Sequence, residues 1–408
     1  MMNNVLNSNN HRTPALHLTV RPNPKTGGEE KDISMLVNHR FISLTLTDSS
    51  GFEADQLDLL LDDSDGLLAL PSRGAILALG LGWKNQALTF KGEYTVDEVE
   101  HSGTPDKITI RARSADLRGS LMNRYERSFH QKTIGEIVQQ IALENKLTAK
   151  VGRQFEQQII NHIDQTNESS ISFLQRLAKE YDAIATVKNS ALLFIASGKG
   201  KTASGADIPP VHITRSEGDS HRFNIAEGEN FKAVKAYWHD TNTGKRGEVV
   251  WDENSSVIKK TEPTLKKKTK VKRDKDGKKL KGADGEIIKE TVFVKGKGRK
   301  VNAIVQSKPV ESDANNIKTL RHTYQTQQAA LNAVQREFGR IQRGVARFSI
   351  NLAVGNAELM PEMPVTVSGF KAEIDSSHWI ITKVTHQVNK GGGFTTALEM
   401  ELFIPEED

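Results

Sequence analysis

Apolar side chains recur at every second position through much of this chain, and that period of two limits the fold more than any other feature. In residues 41–47, Ile42, Leu44 and Leu46 alternate with Ser43, Thr45 and Thr47. Residues 55–63 place Leu57, Leu59 and Leu61 on one face, and residues 107–113 set Ile108, Ile110 and Ala112 opposite polar or charged neighbours. Phe394, Thr396, Leu398, Met400 and Leu402 repeat the rule near the other end. Successive side chains of a strand point to opposite faces, so alternation between short turns predicts antiparallel sheet with one wet face, as a sandwich or a barrel.

The period changes in the middle. Thr133-Ile-Gly-Glu136 is a capping-box signature, and Ile134, Ile137, Val138 and Ile141 follow at helical spacing. A second helix fits residues 169–181, with Ile171, Leu174, Leu177 and Tyr181 on one stripe, and strands 183–188 and 191–196 flank a turn at Asn189 and Ser190. A loop rich in Gly, Ser and Pro follows at 197–210. Strands resume from Val211, including 233–238 and 248–251, and Leu331, Val334, Phe338 and Ile341 predict one long helix over 325–342. The expected order is a polar tail (1–14), a first β domain (15–119), a small α/β domain (120–200) and a second β domain (201–408) carrying an insertion at 259–300.

Composition narrows the class. With 408 residues, 37% of them hydrophobic and 26% charged, the chain has room for several globular domains. It has no cysteine, which excludes disulfides, zinc–thiolate sites and a cysteine nucleophile. The first residues lack the apolar run of a secretory signal, and the most apolar window, 66–83, is broken by Pro71, Ser72 and Arg73. A soluble protein made inside the cell, with no stable membrane insertion, is expected.

The net charge is +5, but its distribution is uneven. Residues 259–300 hold 17 Lys and Arg against 6 Asp and Glu, a local excess of +11 that leaves −6 for the rest. Electrostatic partners are therefore sought at this segment. Its halves 265–273 and 286–294 are expected to pair as a projecting basic β-hairpin around the turn-prone Asp276-Gly277 and Asp284-Gly285, reaching about 30 Å. Lysine clusters neutralise phosphate, yet residues 259–281 contain no aromatic residue for base stacking and a single arginine, Arg273. A solvated or protein-contacting strand is the better reading. Lys266, Lys267, Lys268, Lys270, Lys272 and Arg273 are its candidate contact residues.

The two β regions share a pattern. Leu70-Pro71 and Met360-Pro361 each open a turn that leads through an apolar strand to glycine and an aromatic residue, Trp83 or Phe370. Val96, Val99 and His101 share their spacing with Ile381, Val384 and His386. Two readings stand: any two β-hairpins of this composition look alike, or the chain holds two copies of one barrel. In the second case a trimer would present six similar units in a ring.

No reaction centre emerges from the motifs. Gly198-Lys199-Gly200-Lys201-Thr202 has Ile195 where a P-loop needs its first glycine, and the following Ala-Ser-Gly-Ala-Asp-Ile-Pro-Pro cannot open a helix. Gly218-Asp219-Ser220 has Arg222 where a nucleophile elbow needs its second glycine. The histidines show no metal-ligand spacing, so His101 and His386 are read as strand-face residues. No catalytic residue, cofactor or metal site is assigned.

Three longer stretches carry a resemblance. ADLRGSLMNRYERSF (115–129), NESSISFLQRLAKEYDAIATVKNSALLF (167–194) and QREFGRIQRGVARFSINLAVGNAELMPEMPVTVSGF (335–370) resemble the late-control D family, the tail hub proteins of contractile-tailed phages and tailocins. The resemblance runs from about residue 15 to 404. It implies a fold similar to the front part of type VI secretion spike proteins, with two tube-like antiparallel β-barrels per chain and a small α/β domain between them. It further implies a homotrimer in the baseplate of a virion or tailocin, assembled in the host cytoplasm. The implied partners are the tail tube protein, a separate trimeric spike, and baseplate and tape-measure proteins. Residues up to Asp408 contain no β-helical repeat, so the spike is expected as another polypeptide.

The leading expectation is a structural tail hub, not an enzyme, joining a six-fold tube to a three-fold spike. The alternatives are a DNA-binding late-gene regulator acting through 259–300, without evidence for specific nucleic-acid recognition, and a hub-associated peptidoglycan hydrolase.

Overall fold

The computed structural model describes residues 12–22, 29–51, 54–114, 120–188, 191–225, 231–241, 244–262, 265–273, 278–279, 281, 286–287, 289–295, 299–306 and 316–404. Two compact units divide the chain: Met1–Asn230 with Gly339–Asp408, and Phe231–Phe338.

The first unit opens with β1 (Pro14–Arg21), β2 (Lys31–Asp32), α1 (Ser34–Arg40), β3 (Phe41–Ser49), β4 (Gln56–Asp62), β5 (Ile76–Trp83), β6 (Thr89–Ser102) and β7 (Lys107–Ser114). The inward set is the one the alternation marks except at the start of β3, where the register shift between Phe41 and Ser43 buries Phe41 and leaves Ile42 only half-buried. Leu44, Leu46, Leu57, Leu59, Ile108 and Ala112 are buried in one core. Each leucine withdrawn from water contributes about 2 kcal/mol. A slip of one residue would turn Ser43, Thr45 and Thr47 inward instead, which fixes the register.

A layer of mixed structure follows: β8 (Arg124–Thr133), α2 (Ile134–Glu144), β9 (Thr148–Val151), α3 (Arg153–Glu156), β10 (Ile159–Ser169), α4 (Ser170–Glu180), β11 (Ala183–Lys188) and β12 (Ala191–Ala196). The Thr133–Glu136 capping box is formed, and Ser169 caps α4 by accepting the Ser172 N–H at 3.1 Å. Ile137, Ile141, Phe173, Leu177 and Phe194 fill a core of their own. The turn at Asn189 and Ser190 lies outside the described residues.

After β13 (Val211–Thr214) and β14 (Gly218–Ile225) comes the second unit. It holds β15 (Ala233–Asp240), β16 (Lys245–Asp252), β17 (Ser255–Glu262), β18 (Leu265–Val271), β19 (Lys289–Lys295), β20 (Arg299–Gln306), β21 (Ile317–Tyr324) and the start of α5 (Gln327–Gly344). β15 lies between antiparallel β16 and parallel β21, and Lys318 of β21 meets Glu337 of α5 at 2.9 Å. Within the expected basic segment β18 pairs with β19 in antiparallel register, over shorter stretches than expected, and β17 pairs with β20 in a separate two-stranded ladder. The expected turn residues Asp276, Gly277, Asp284 and Gly285 lie outside the described residues.

The first unit ends with β22 (Ala346–Leu352), β23 (Pro364–Ser368), α6 (Ala372–Asp375), β24 (Trp379–Asn389) and β25 (Gly393–Leu402). Trp379, Phe348, Ile350, Val384, Leu398 and Met400 form its third core.

The strands close no barrel among the described residues. Among the described residues one 13-stranded sheet runs open from β14 through β22, β25, β24, β3, β4, β7, β6, β5 and β1 to β2, with β13 and β23 beside the path. The reason is local. The free edge of β3 does not curl back onto its own region but takes β24, pairing Leu46 with His386 and Leu44 with Val388. The sheet thereby joins segments nearly a chain length apart.

The same pairing pattern occurs twice in this sheet. In the front half Val96, Val99 and His101 face Ala112, Ile110 and Ile108; in the rear half Ile381, Val384 and His386 face Met400, Leu398 and Thr396. Next, β7 pairs β4 as β25 pairs β22, with Ala112 opposite Leu57 and Met400 opposite Phe348. Finally β4 pairs β3 as β22 pairs β14, with Leu57 opposite Leu46 and Phe348 opposite Phe223. Even the register shifts coincide, between Val96 and Glu98 and between Ile381 and Lys383, then between Phe41 and Ser43 and between Gly218 and Ser220.

Candidate functional site: charged junctions of the β scaffold

Most chemistry-bearing side chains buried in the first unit fasten one backbone segment to another. Lys188 ends the apolar strand β11, and its ammonium lies 2.6 Å from Asp48 Oδ1 and 2.5 Å from Asp55 Oδ2. Burial, reinforced by the neighbouring Asp48 charge, pushes Asp55 up to about 6 against the pull of Lys188. Burial alone would lower Lys188, but the two carboxylates outweigh it and hold its pKa above the ordinary value. One ammonium thus ties the α/β layer to β3 and to the segment before β4.

A second junction joins β5 and β6 to the loop after β22. Lys91 Nζ donates to the Ala357 and Leu359 carbonyls at 3.0 and 3.3 Å, and Trp83 Nε1 donates to the Gly355 carbonyl at 3.0 Å. Burial lowers the Lys91 pKa. Beside it His386 is fully buried, with Nδ1 2.9 Å from Thr396 Oγ1. Burial, with Lys91 adding repulsion, depresses its pKa to about 3, so the ring stays neutral. This explains why Thr396 interrupts an otherwise apolar inward row.

At the third junction Glu362 accepts the Gly198 N–H at 2.9 Å, while Arg343 pairs with Asp182. Burial raises Glu362 to about 7. A cleft of about 490 Å³ opens here, lined by Gln175, Asp182, Gly198, Arg343, Glu362 and Glu401 among others. A carboxyl with such a pKa can act as a general acid, but catalysis needs a second group presented to the same substrate atom. Here Asp182 is paired with Arg343 and Glu362 accepts a backbone amide.

The P-loop-like Gly198–Thr202 stretch is explained by the same contacts. Gly198 and Gly200 have φ of 64° and 58°, and Gly198 spends its amide on Glu362. Among the described residues no group of three or more His, Asp and Glu is arranged to hold a metal ion, and no helix is long and apolar enough to cross a membrane.

The sequence-derived contact residues lie elsewhere. Lys266, Lys268 and Lys270 occupy alternate positions of β18 and are exposed, in register with Val294, Val292 and Glu290. Lys272 and Arg273 are exposed just beyond, and Lys267 sits in register with Phe293. Of the junction residues, Gly198 and His386 stood in sequence patterns read for other roles, and Asp48, Asp55, Lys91, Lys188, Arg343 and Glu362 carried no motif. Lys188 closing an apolar strand, and Thr396 within an apolar row, are the signals that mark them.

Such residues define a scaffold, a sheet protein whose buried charges clamp backbone to backbone. The chain belongs to the phage tail baseplate hub (GPD) family, whose model matches residues 56–392, and it is a structural tail hub protein. It is 45% identical over 372 residues to the probable baseplate hub protein of Escherichia phage 186, covering 91% of this chain and 90% of that one. To the probable baseplate hub protein of Escherichia phage P2 it is 44% identical, covering 92% and 91%. Its fold is also similar to the 43 kDa tail protein of prophage MuSo2 from Shewanella oneidensis, with a TM-score of 0.57 at 14% identity over 94% of this chain and 97% of that one.

Proposed function

We propose that this chain acts as a homotrimeric coupling ring in the baseplate of a contractile tail, joining the six-fold tail tube to a separate three-fold spike by symmetry matching and not by catalysis. The observation that carries this reading is the doubled strand pattern, with its doubled register shifts, inside one chain. Three copies of a chain with two like modules offer six like docking positions. The sheet that runs open within one chain closes into a tube-like wall only when copies are set side by side. In this reading residues 15–119 and 201–408 supply the two tube-forming domains and 120–200 the layer between them. The exposed lysines of β18 contact an acidic neighbour in the tail, the tube, the spike or a baseplate component.

The buried junctions fit a load-bearing part, because a clamp that joins backbone segments resists their separation more directly than apolar contact does. Light scattering on the purified chain is expected to give the mass of three copies, and electron microscopy a ring at the tail tip. A chain that stays monomeric at all concentrations, and is absent from the tail tip, overturns the proposal.

A further inference from the structure

Pairing of β8 with β10 brings together two histidines that lie 32 residues apart in sequence. Alternation sorts this ladder into two faces. Phe129 and Ile163 turn into the core they share with α2 and α4, while Ser128, His130, His162 and Asp164 stand exposed on the other side. His130 and His162 are direct cross-strand partners, and their rings stack with centroids 4.6 Å apart and 27° between planes. Nδ1 of one ring lies 3.1 Å from Nδ1 of the other. On the opposite side of the His162 ring, Nε2 lies 3.0 Å from Asp164 Oδ2, and Oδ1 of the same carboxylate accepts the Ser128 hydroxyl at 2.5 Å.

This chain of contacts sets the tautomer. A carboxylate can only accept, so neutral His162 carries its proton on Nε2 and presents a bare lone pair at Nδ1. His130, in the matching tautomer, presents a second lone pair at its own Nδ1. Two nitrogens each about 2.0–2.1 Å from one ion, at right-angled to tetrahedral spacing, stand about 3.0–3.4 Å apart. The separation observed here falls in that range. A carboxylate on the outer nitrogen of a ligating imidazole is the common support of such a donor, because it fixes the ring and strengthens its basicity. We propose that His130 and His162 form a binding site for a late divalent transition metal, zinc in the first place, with Asp164 orienting His162 and water completing the coordination. The His162 side chain is half-exposed, so an ion reaches the pair from solvent and keeps its water ligands. Imidazole donors suit zinc, copper and nickel, whereas magnesium and calcium take oxygen. β8 and β10 form a two-stranded ladder of their own, and an ion held by both strands ties that ribbon across its outward face. The site is independent of the trimeric reading.

Titration calorimetry of the full chain, stripped of metal and titrated with zinc chloride, tests the site. The chain has 12 histidines, so the variants decide the location of the ion. The parent is expected to show a saturable event of one ion per chain. His130→Ala and His162→Ala are each expected to weaken that event at least about tenfold, and the double substitution to abolish it. Asp164→Asn keeps both donor nitrogens and is expected to weaken it about tenfold without abolishing it. All three side chains are exposed, so the far-UV circular dichroism and the metal-free melting temperature of these variants are expected to match the parent. Zinc is expected to raise the melting temperature of the parent and not of the double variant, and magnesium to raise neither. If the parent shows no saturable event, or the double variant binds zinc as the parent does, the rings are a stacked pair only and the proposal is overturned. If both histidine variants lose affinity while Asp164→Asn keeps it, the orienting role of Asp164 is overturned.

Discussion

Gly355 and Phe394 approach so closely that a Cβ on Gly355 would lie 2.3 Å from the phenyl ring. The same ring stacks at a tilt on Trp83, 5.3 Å between centroids, and Trp83 in turn holds the Gly355 carbonyl. Gly355→Ala must push the ring away and break this contact, a destabilisation of about 2 kcal/mol or more. Chemical denaturation is expected to show that loss, and Phe394→Leu combined with Gly355→Ala to recover part of it.

Removing the ammonium of Lys188 leaves Asp48 and Asp55 facing each other without a counter-charge. Lys188→Ala is expected to cost about 3 kcal/mol at pH 8. Asp55 already has a folded pKa raised to about 6 from an ordinary 3.8, so its contribution to stability is complete below about 3.8 and is lost as pH rises through about 6. The deficit of the variant relative to the parent should therefore shrink on acidification. Denaturation midpoints measured between pH 5 and pH 8 decide this, and a pH-independent deficit would contradict it.

Glu362 should behave as a stability switch of the same sign. Its pKa is raised to about 7 from 4.5, so the stabilising protonated form is complete below about 4.5 and is lost as pH rises through about 7. Glu362→Gln keeps an acceptor for the Gly198 N–H and carries no charge. It is expected to raise the melting temperature at pH 8, by a gain approaching 3 kcal/mol, and to change little at pH 5. Calorimetry at the two pH values checks it.

The lysines of β18, with Lys272 just beyond it, should be dispensable for folding and required for assembly. Reversing Lys266, Lys268, Lys270 and Lys272 to glutamate changes exposed side chains, which individually matter by about 0.5 kcal/mol or less. The melting curve is expected to stay close to that of the parent, while incorporation into tails in a complementation assay falls sharply. Full incorporation would remove the contact role proposed for this strand.

Local structure was legible where one physical rule dominates. The alternation at Leu57, Leu59 and Leu61 marked the inward face of β4, and Thr133 with Glu136 marked the start of α2. Strand partners were less accessible, because β3 and β24 carry similar alternation to several other strands and nothing local says which edge meets which. That is why separate barrels were expected where one open sheet is found. The junctions were hidden for a different reason. Asp48, Asp55 and Lys188 are charged residues of ordinary appearance, and only the pairing of distant segments brings them together. The repeated spacing of Val96, Val99 and His101 with Ile381, Val384 and His386 did carry long-range information, since both trios sit in matching ladders.

The pairing of Leu46 with His386 also sets a timetable for biosynthesis. The ribosome must pass residue 389 before β3 gains its second neighbour, so the early strands wait with one side of their sheet uncovered while everything between is translated. Contacts of such long loop closure form late and slowly. Until then the nascent polypeptide exposes an adhesive border, and an orderly supply of finished subunits depends on keeping that border from meeting another unfinished copy.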